Sequence, residues 1–169
     1  MKKLEKQCKH TFEPIYDDQS KILILGSFPS VKSREGGFYY HHPRNRFWEV
    51  ISNVYGEELP LTVDEKKEML LRNHIALWDV INRCDVEGSS DTSIKNVIPA
   101  DIDSLLKKTN IKKIYANGNK AYELYQKYCF MATNKDIIKL PSTSPANAAW
   151  SIERLCKEWK QIKEEGADK

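Results

Sequence analysis

The sequence KILILGSFPS, at residues 21–30, decides the fold of this chain. Its apolar run is unbroken from Ile22 to Leu25, which is typical of a strand buried on both faces of a parallel sheet. Gly26 allows a sharp turn and Pro29 stiffens it, so a strand is predicted over residues 21–25 with a polar loop after it. Because open parallel sheets bind ligands beyond the carboxyl ends of their strands, this loop is the first candidate for a functional site.

A second loop of the same kind closes the predicted fourth strand, residues 136–140. Its sequence is LPSTSPAN, residues 140–147, in which three hydroxyl side chains stand between two prolines. The prolines restrict the backbone before a ligand arrives and so lower the entropy cost of binding. The last helix is expected to start near Pro145, so that its unpaired N–H groups face the same space and attract an anion. A purely structural alternative is that Ser144 caps this helix.

Strands and helices alternate along the rest of the chain. Further strands are predicted over residues 74–78 and 111–116, and helices over residues 46–55, 62–73, 101–108, 120–128 and about 145–163. This alternation predicts an α/β fold, a three-layer αβα sandwich with a central four-stranded parallel sheet. With 169 residues, we expect one domain over residues 1–169, with its core at about residues 20–163. Residues 1–20 are expected to form an entry segment, and residues 85–94 a polar loop.

The segment HHPRNRFW, residues 41–48, places polar side chains directly before an apolar helical face. Arg44 and Arg46 suit phosphate or carboxylate groups because a guanidinium donates in a planar fork. Asn45 can accept a hydrogen bond from water through its amide oxygen and donate one through its nitrogen, or it can cap the helix. His41 and His42 are adjacent rather than one helical turn apart, so a two-histidine metal site is not expected.

Composition narrows the classes of protein. Lysine and arginine number 27 and aspartate and glutamate 24, so the formal net charge of +3 permits a polyanionic partner without requiring one. No apolar stretch approaches the roughly 20 residues that span a bilayer, and no signal-peptide core follows the basic N-terminus, so a cytoplasmic protein without a membrane partner is expected. The four cysteines include no CxxC pair, which disfavours zinc and iron–sulfur sites. Neither GxGxxG nor a P-loop occurs, and no cofactor is predicted.

Four motifs taken together carry a family resemblance: GSFPS, HPRNRFW, the segment ALWDVI at residues 76–81, and LPSTSPAN. In this order they resemble the uracil-DNA glycosylase superfamily, and among its branches the deoxyinosine (hypoxanthine) DNA glycosylases. The resemblance covers roughly residues 22–150. It implies the same αβα fold, a monomer, and a monofunctional enzyme of base excision repair. Such an enzyme hydrolyses the N-glycosidic bond of a deaminated base, here hypoxanthine foremost, that is flipped out of DNA.

The resemblance also implies which side chain positions the attacking water. Other branches carry Asp or Asn inside the first motif, where this chain has Ser27 and Phe28. In the deoxyinosine branch the role passes to the asparagine of the PRN segment, so Asn45 is the predicted catalytic residue. Thr143 and Ser144 replace the second-motif histidine of some uracil enzymes. These departures argue against efficient uracil excision, although a glycosylase specific for uracil or for G:U and G:T mismatches is the alternative within the family.

The other expected roles follow from the motif that holds each side chain. Backbone N–H groups of Ser27 and Phe28 would stabilise the negative charge on the leaving base, and Phe28 with Tyr39 or Tyr40 would stack on it. Asp79 would accept a hydrogen bond from N1–H of hypoxanthine, with loop capping as the equal alternative. The predicted base-binding residues are Gly26, Ser27, Phe28, Pro29, Tyr39, Tyr40 and Asp79, and the predicted DNA-binding residues are His42, Arg44, Ser142, Thr143, Ser144 and Asn147.

Two hypotheses from other functional classes stay open. A nucleotide- or sugar-phosphate-binding module without catalysis would use the same α/β frame, since this architecture serves many functions. A serine hydrolase would combine Ser27, His42 and Asp79, but the chain lacks the GxSxG turn that presents such a serine.

Overall fold

The computed structural model describes residues 5–9, 13–29, 33, 36–86 and 95–166. Within them the strands are β1 (Glu5–Lys9), β2 (Ile22–Gly26), β3 (Ile75–Asp79), β4 (Ile81–Val86), β5 (Lys95–Pro99), β6 (Lys113–Asn117) and β7 (Ile138–Leu140). The helices are α1 (Phe47–Tyr55), α2 (Val63–Arg72), α3 (Ile102–Lys107), α4 (Asn119–Tyr128), α5 (Phe130–Thr133), α6 (Ile152–Trp159) and α7 (Gln161–Gly166). No helix of this described part has the length and apolar content needed to cross a membrane. Ser30, the last residue of the first predicted loop, lies outside the described residues.

Four strands form the predicted parallel sheet, in the order β3-β2-β6-β7. Gly26 at the end of β2 lies opposite Asp79 at the end of β3, and Asn117 at the end of β6 lies opposite Leu140 at the end of β7. All four carboxyl ends therefore meet at one edge of the sheet. The chain adds β3 on one side of β2 and β6 on the other, so the strand order reverses between β2 and β6, where open α/β sheets bind ligands.

Strand β2 is buried along its whole length because helices cover both faces of the sheet. Leu23 and Leu25 face a layer that contains α3 and α4, whereas Ile22 and Ile24 face a layer that contains α1, α2 and α6. Burying one such side chain contributes roughly 1.5–3 kcal/mol. The αβα sandwich predicted from the alternation of strands and helices is confirmed.

Two helix ends follow from local signals in the sequence. Thr62 caps α2, because its hydroxyl accepts a hydrogen bond from the Glu65 N–H and the Glu65 carboxylate accepts one from the Thr62 N–H. Gly56 ends α1 with a φ of 67°, in the left-handed region that glycine enters without strain.

The molecule also has a second sheet that the sequence pattern does not indicate. It is antiparallel, with the strand order β1-β4-β5. The expected entry segment is therefore wrong at β1, and the expected loop over residues 85–94 is wrong at residues 85–86, which belong to β4. Residues 87–94 lie outside the described part. The sequence EKQCK of β1 lacks alternating apolar residues, and its extended form comes from pairing with β4. In strands, such pairing outweighs local preference.

The last helices begin later than predicted. Helix α6 starts at Ile152, where the Ser151 hydroxyl caps the first turn, and not near Pro145. Residues 144–149 form turns instead. The expectations that Ser144 caps this helix, and that the N-terminus of the helix attracts an anion into the second loop, are therefore wrong.

Candidate functional site

A cavity of about 820 Å³ opens at the carboxyl edge of the parallel sheet. Its volume lies within the roughly 300–1,000 Å³ that is usual for ligand pockets. Both predicted loops and the segment before α1 line it. The wall thus brings together these predicted site residues: Gly26, Ser27, Phe28, Pro29, Tyr39, Tyr40, His42, Asn45, Asp79, Ser142, Thr143, Ser144 and Asn147. Arg44 is exposed and does not belong to this wall.

The first loop is held beside Asp79 by main-chain hydrogen bonds. The carbonyl oxygens of Gly26 and Ser27 accept hydrogen bonds, at 2.8 and 3.0 Å, from the two N–H groups that follow Asp79 in the chain. The Asp79 side chain is buried, with 3% exposed. A Cβ atom at Gly26 would overlap the Asp79 carboxylate and lie 2.9 Å from the Tyr40 hydroxyl oxygen. Only glycine therefore allows these two side chains to approach the main chain at this point.

Asn45 lies one residue before the α1 cap, and its amide oxygen has two partners. Oδ1 accepts from the Phe47 N–H at 2.9 Å and from the Thr143 hydroxyl at 2.8 Å. The N-cap of α1 is Arg46, without a side-chain capping bond, so the alternative that Asn45 caps the helix is wrong. Asn45 instead supports the backbone where α1 begins, and its oxygen has no lone pair left to orient water. Because only an oxygen can accept from the Phe47 N–H, the amide orientation is settled and Nδ2 is the atom that remains to donate.

Thr143 links Asn45 to the end of β6. Its hydroxyl accepts from Asn117 Nδ2 at 3.0 Å, and its N–H donates to Asn117 Oδ1 at 3.0 Å. The side chain is fully buried, and its one hydroxyl proton is already donated to Asn45, so it has none left for the predicted contact with a phosphate. Its physical role is to hold the Asn45 oxygen, since a threonine hydroxyl has one proton to donate and donates it there.

Arg46 orders the second loop. Its guanidinium donates to the carbonyl oxygens of Ser144 and Asn147, both at 3.0 Å, and to that of Trp150. The Asn147 amide donates to the Ser142 carbonyl oxygen at 3.0 Å and so forms a hydrogen bond within the loop. Arg46 therefore binds the main chain of the protein, although its residue type alone also suits a phosphate.

We expect Arg46→Lys to destabilise the second loop. An ammonium group cannot reach three separated carbonyl oxygens as a guanidinium does. The three carbonyl contacts are partly buried, so each one lost costs at most roughly 1–3 kcal/mol. Urea denaturation should show a lower free energy of unfolding, and limited proteolysis should cut first within residues 141–150. Arg44→Lys, at an exposed position outside the cavity wall, is the matched control and should change neither result. Equal stability of the two variants would contradict this role of Arg46.

Tyr39 and Tyr40 have different surroundings. Tyr39 is 2% exposed and its hydroxyl donates to the Glu13 carbonyl oxygen at 2.9 Å. Its ring therefore belongs to the core beneath the cavity, and the prediction that it stacks on a base is not supported. The Tyr40 ring packs nearly parallel to Phe47, with ring centroids 4.2 Å apart. One face of Tyr40 is covered in this way, and a base can stack only on the other.

The backbone and the hydroxyl of Tyr40 are both unusual. Its φ of 52° lies in the left-handed region, where bulky residues are strained and which recurs at functional sites. Its hydroxyl is buried and has no hydrogen-bond partner among the described residues. Burial, and next the Asp79 carboxylate, raise the pKa of this hydroxyl far above its ordinary value, while the nearby Asn117 amide lowers the pKa. The net effect keeps the phenol protonated.

His42 presents a hydrogen-bond donor. Its Nδ1 accepts from the Arg44 N–H at 3.0 Å, which places the ring proton of a neutral imidazole on Nε2.

Across the described ranges of the chain, no group of three or more His, Cys, Asp or Glu side chains is arranged to hold a metal ion.

Asn117 is a cavity residue that sequence reasoning misses. The predicted third strand ends at Asn117-Gly118-Asn119, yet nothing in that tripeptide identifies it as part of the site. The signal that would have found it is the strand order, because β6 lies beside β2 at the switch point. The wall also contains Lys120, Lys139 and Trp150 beyond the predicted set.

Comparison with known proteins finds relatives that align over most of the chain. A family model of the uracil DNA glycosylase superfamily matches residues 13–164. The chain is 39% identical over 118 residues to a hypoxanthine DNA glycosylase of Methanosarcina barkeri (strain Fusaro). This alignment covers 68% of the chain and 74% of that protein. It is also 35% identical over 156 residues to a hypoxanthine DNA glycosylase of Methanosarcina acetivorans. This second alignment covers 91% of the chain and 97% of that protein.

A solved structure has the same fold. It is the solution NMR structure of a Methanosarcina acetivorans protein described as a candidate uracil DNA glycosylase, and it matches with a TM-score of 0.80 and 30% sequence identity. The match covers 98% of this chain and 100% of that one. The similarity is therefore not confined to the four motifs but extends over nearly the whole chain.

Proposed function

The chain belongs to the uracil DNA glycosylase superfamily and is a DNA glycosylase, and we propose that it removes hypoxanthine by hydrolysing the N-glycosidic bond of a deoxyinosine flipped out of DNA. The observation that carries the proposal is the convergence of Asn45, Asp79 and Tyr40 on one cavity. Two relatives that align over most of the chain support it, because both are named hypoxanthine DNA glycosylase.

A base inside duplex DNA is out of reach of the cavity, so the nucleotide has to be extruded. Extrusion costs a few kcal/mol, least for a mismatched base, and hypoxanthine formed from adenine stands mismatched opposite thymine. A cavity of about 820 Å³ has room for a nucleoside. The Ser142 and Ser144 hydroxyls each accept one N–H of their own loop and keep a proton to donate to a phosphate.

Cleavage of the N-glycosidic bond passes through an oxocarbenium-like sugar, and the leaving base carries negative charge. Asn45 Nδ2 is the proposed donor that holds the attacking water, since Oδ1 is occupied by the Phe47 N–H and the Thr143 hydroxyl. An amide does not deprotonate water, so its contribution is to position it. The backbone N–H groups of Ser27 and Phe28 stay the predicted donors to the leaving base.

Asp79 is the proposed reader of the base edge. Hypoxanthine offers an N1–H donor at the position where adenine offers an N1 lone pair. A carboxylate accepts from the first and repels the second. The burial of Asp79 at the end of β3 strengthens both effects, because little water screens the charge.

We expect Asp79→Asn to reduce the preference for hypoxanthine over adenine. A hydrogen bond to a charged group contributes roughly 1.5–3 kcal/mol, so hypoxanthine excision should fall by roughly 10- to 100-fold. The amide can also donate, so it no longer repels adenine. Single-turnover rates on duplexes that carry either base measure the change. An unchanged ratio of the two rates would show that Asp79 caps the loop without reading the base.

A panel of oligonucleotides tests the proposed substrate directly. Each duplex carries hypoxanthine, uracil, xanthine or thymine opposite each natural partner, and abasic sites are detected by alkaline strand scission. We expect hypoxanthine to be removed fastest. Faster removal of uracil, or of uracil and thymine opposite guanine, would support the uracil- or mismatch-specific alternative. Binding of free mononucleotides without strand damage would support a non-catalytic nucleotide-binding module.

Action as a monomer in the cytoplasm stays a prediction. One chain supplies both loops and Asn45 to the cavity wall, so a second copy is not needed to complete the site. Sedimentation of the protein alone and with a deoxyinosine duplex tests the predicted stoichiometry of one chain per lesion.

A further inference from the structure

The fold leaves the Tyr40 hydroxyl as a buried polar group without a partner. No residue of the described part meets the distance and angle of a normal hydrogen bond with it, although the Asn117 amide is near enough to lower its pKa. Native structures contain few such atoms, and each one calls for a ligand or another functional reason. Tyr40 lines the cavity, and its buried hydroxyl lies next to the Gly26 main chain and close to the Asp79 carboxylate.

Three features of the fold hold this hydroxyl in place. The Tyr40 backbone adopts the left-handed conformation, with a φ of 52°. The ring is stacked on Phe47, and Gly26 has no side chain to occupy the space that the hydroxyl approaches. A non-glycine residue in that conformation is strained and persists only where its surroundings over-determine it. The strain therefore indicates that the position of this hydroxyl matters to the site.

Tyr40 and Asp79 provide a donor and an acceptor close together. The phenol keeps its proton because burial raises its pKa, and the nearby Asp79 charge raises this pKa further. A protonated phenol can donate, whereas a carboxylate only accepts. A ligand that satisfies both groups must therefore carry a hydrogen-bond acceptor next to a donor.

We propose that Tyr40 and Asp79 together read the lactam edge of hypoxanthine, with Asp79 accepting from N1–H and the Tyr40 hydroxyl donating to O6. This inference deepens the proposed function and rests on it. Adenine presents the reverse pair, an N1 lone pair and an N6 amino group, so it opposes Asp79 and offers Tyr40 no acceptor. Guanine shares the lactam edge, but its stable pair with cytosine resists extrusion.

The hydrogen bond from Tyr40 also assists bond cleavage. As the N-glycosidic bond breaks, the negative charge of the leaving purine spreads over its ring nitrogens and O6. A donor held against O6 interacts more strongly as that charge develops, so it lowers the barrier in addition to selecting the base. Removal of one such preorganised donor slows enzymes by roughly 10²- to 10³-fold.

Tyr40→Phe tests the inference because it removes the hydroxyl and keeps the ring. We expect single-turnover excision of hypoxanthine to slow by roughly 10²-fold. The melting temperature should stay the same or rise, because a buried polar atom without a partner is removed.

Tyr125→Phe is the matched control for loss of a buried hydroxyl. The Tyr125 hydroxyl lies 2.6 Å from Thr133 Oγ1 and donates to the Lys135 carbonyl oxygen at 2.7 Å. Tyr125 belongs to α4 and does not line the cavity. This variant should melt at a lower temperature and excise hypoxanthine at the wild-type rate, which is the opposite pattern to Tyr40→Phe.

A second substrate separates reading of O6 from a general effect on the cavity. Duplexes that carry unsubstituted purine lack O6, so the wild type and Tyr40→Phe should cleave them at equal rates. If neither enzyme cleaves them, the inference is tested by comparing the hypoxanthine excision rates of the wild type and Tyr40→Phe. Equal losses on both substrates, or excision of hypoxanthine by Tyr40→Phe at the wild-type rate, would overturn the inference and leave the proposed function intact. Absence of hypoxanthine excision by the wild type would instead refute the proposed function.

Discussion

Replacement of Asn45 by alanine is expected to slow hypoxanthine excision by roughly 10²- to 10³-fold, with little change in duplex binding. An oxocarbenium-like transition state needs a water in the right place and little activation of it. In the proposed mechanism Asn45 supplies that place through Nδ2, because its oxygen is held by Phe47 and Thr143. Single-turnover excision and fluorescence anisotropy of a labelled duplex, both at one salt concentration, measure the two quantities.

The alanine variant also loses a structural contact, so a second variant at Asn45 is the control. The Oδ1 atom accepts a hydrogen bond from the first residue of α1, and loss of such a bond costs about 1 kcal/mol. Asn45→Asp keeps an oxygen in that place and should recover the stability, but it lacks Nδ2 and should stay slow. Weaker duplex binding with an unchanged single-turnover rate would contradict a catalytic role for Asn45. Full activity of Asn45→Asp would assign the water to an acceptor oxygen.

Gly26→Ala is expected to have the second large effect. The added Cβ would overlap the Asp79 carboxylate and crowd the Tyr40 hydroxyl. Strand β2 is central and buried along its length, so the two side chains must shift because the backbone cannot. Overpacking of this kind costs roughly 1–3 kcal/mol. A displacement of about 1 Å in a catalytic site costs roughly 10²-fold, so we expect excision to slow by that factor.

Gly56→Ala is the matched control for Gly26→Ala. Gly56 ends α1 with a φ of 67°, and a Cβ there would meet no heavy atom within 4 Å beyond its chain neighbours. Alanine at this position strains the backbone without touching the cavity, so stability should fall while the excision rate stays at the wild-type value. If Gly26→Ala shows the same pattern as Gly56→Ala, the close approach at Gly26 has no part in catalysis.

The parallel sheet could be predicted from sequence because its signals are local. The apolar run of β2, the capping box of Thr62 and Glu65 and the glycine after α1 each depend on neighbours within a few residues. Strand β1 could not be predicted, because it becomes extended by pairing with β4. The late start of α6 could not be predicted either, since Arg46 holds the preceding loop from a distant part of the chain.

The chemistry of the site depends on contacts between distant parts of the chain. Asn45 and Thr143 are 98 residues apart in sequence, and Asn117 and Thr143 are 26 apart. No local pattern shows that the Asn45 oxygen is occupied and that its nitrogen is left to act. Tyr39 and Tyr40 are neighbours with identical side chains. The Tyr39 hydroxyl donates to Glu13 in the core, whereas the buried Tyr40 hydroxyl has no hydrogen bond of normal geometry among the described residues.

The amino-acid sequence by itself determined the parallel sheet, its two polar loops and the residue types at the ligand-binding edge, because periodicity and turn chemistry act over short stretches of chain. Only the tertiary structure decided which side-chain atoms keep hydrogen-bonding capacity at the cavity. The reason is physical: hydrogen-bond partners are selected by distance and direction in space, and these are set when remote segments pack together.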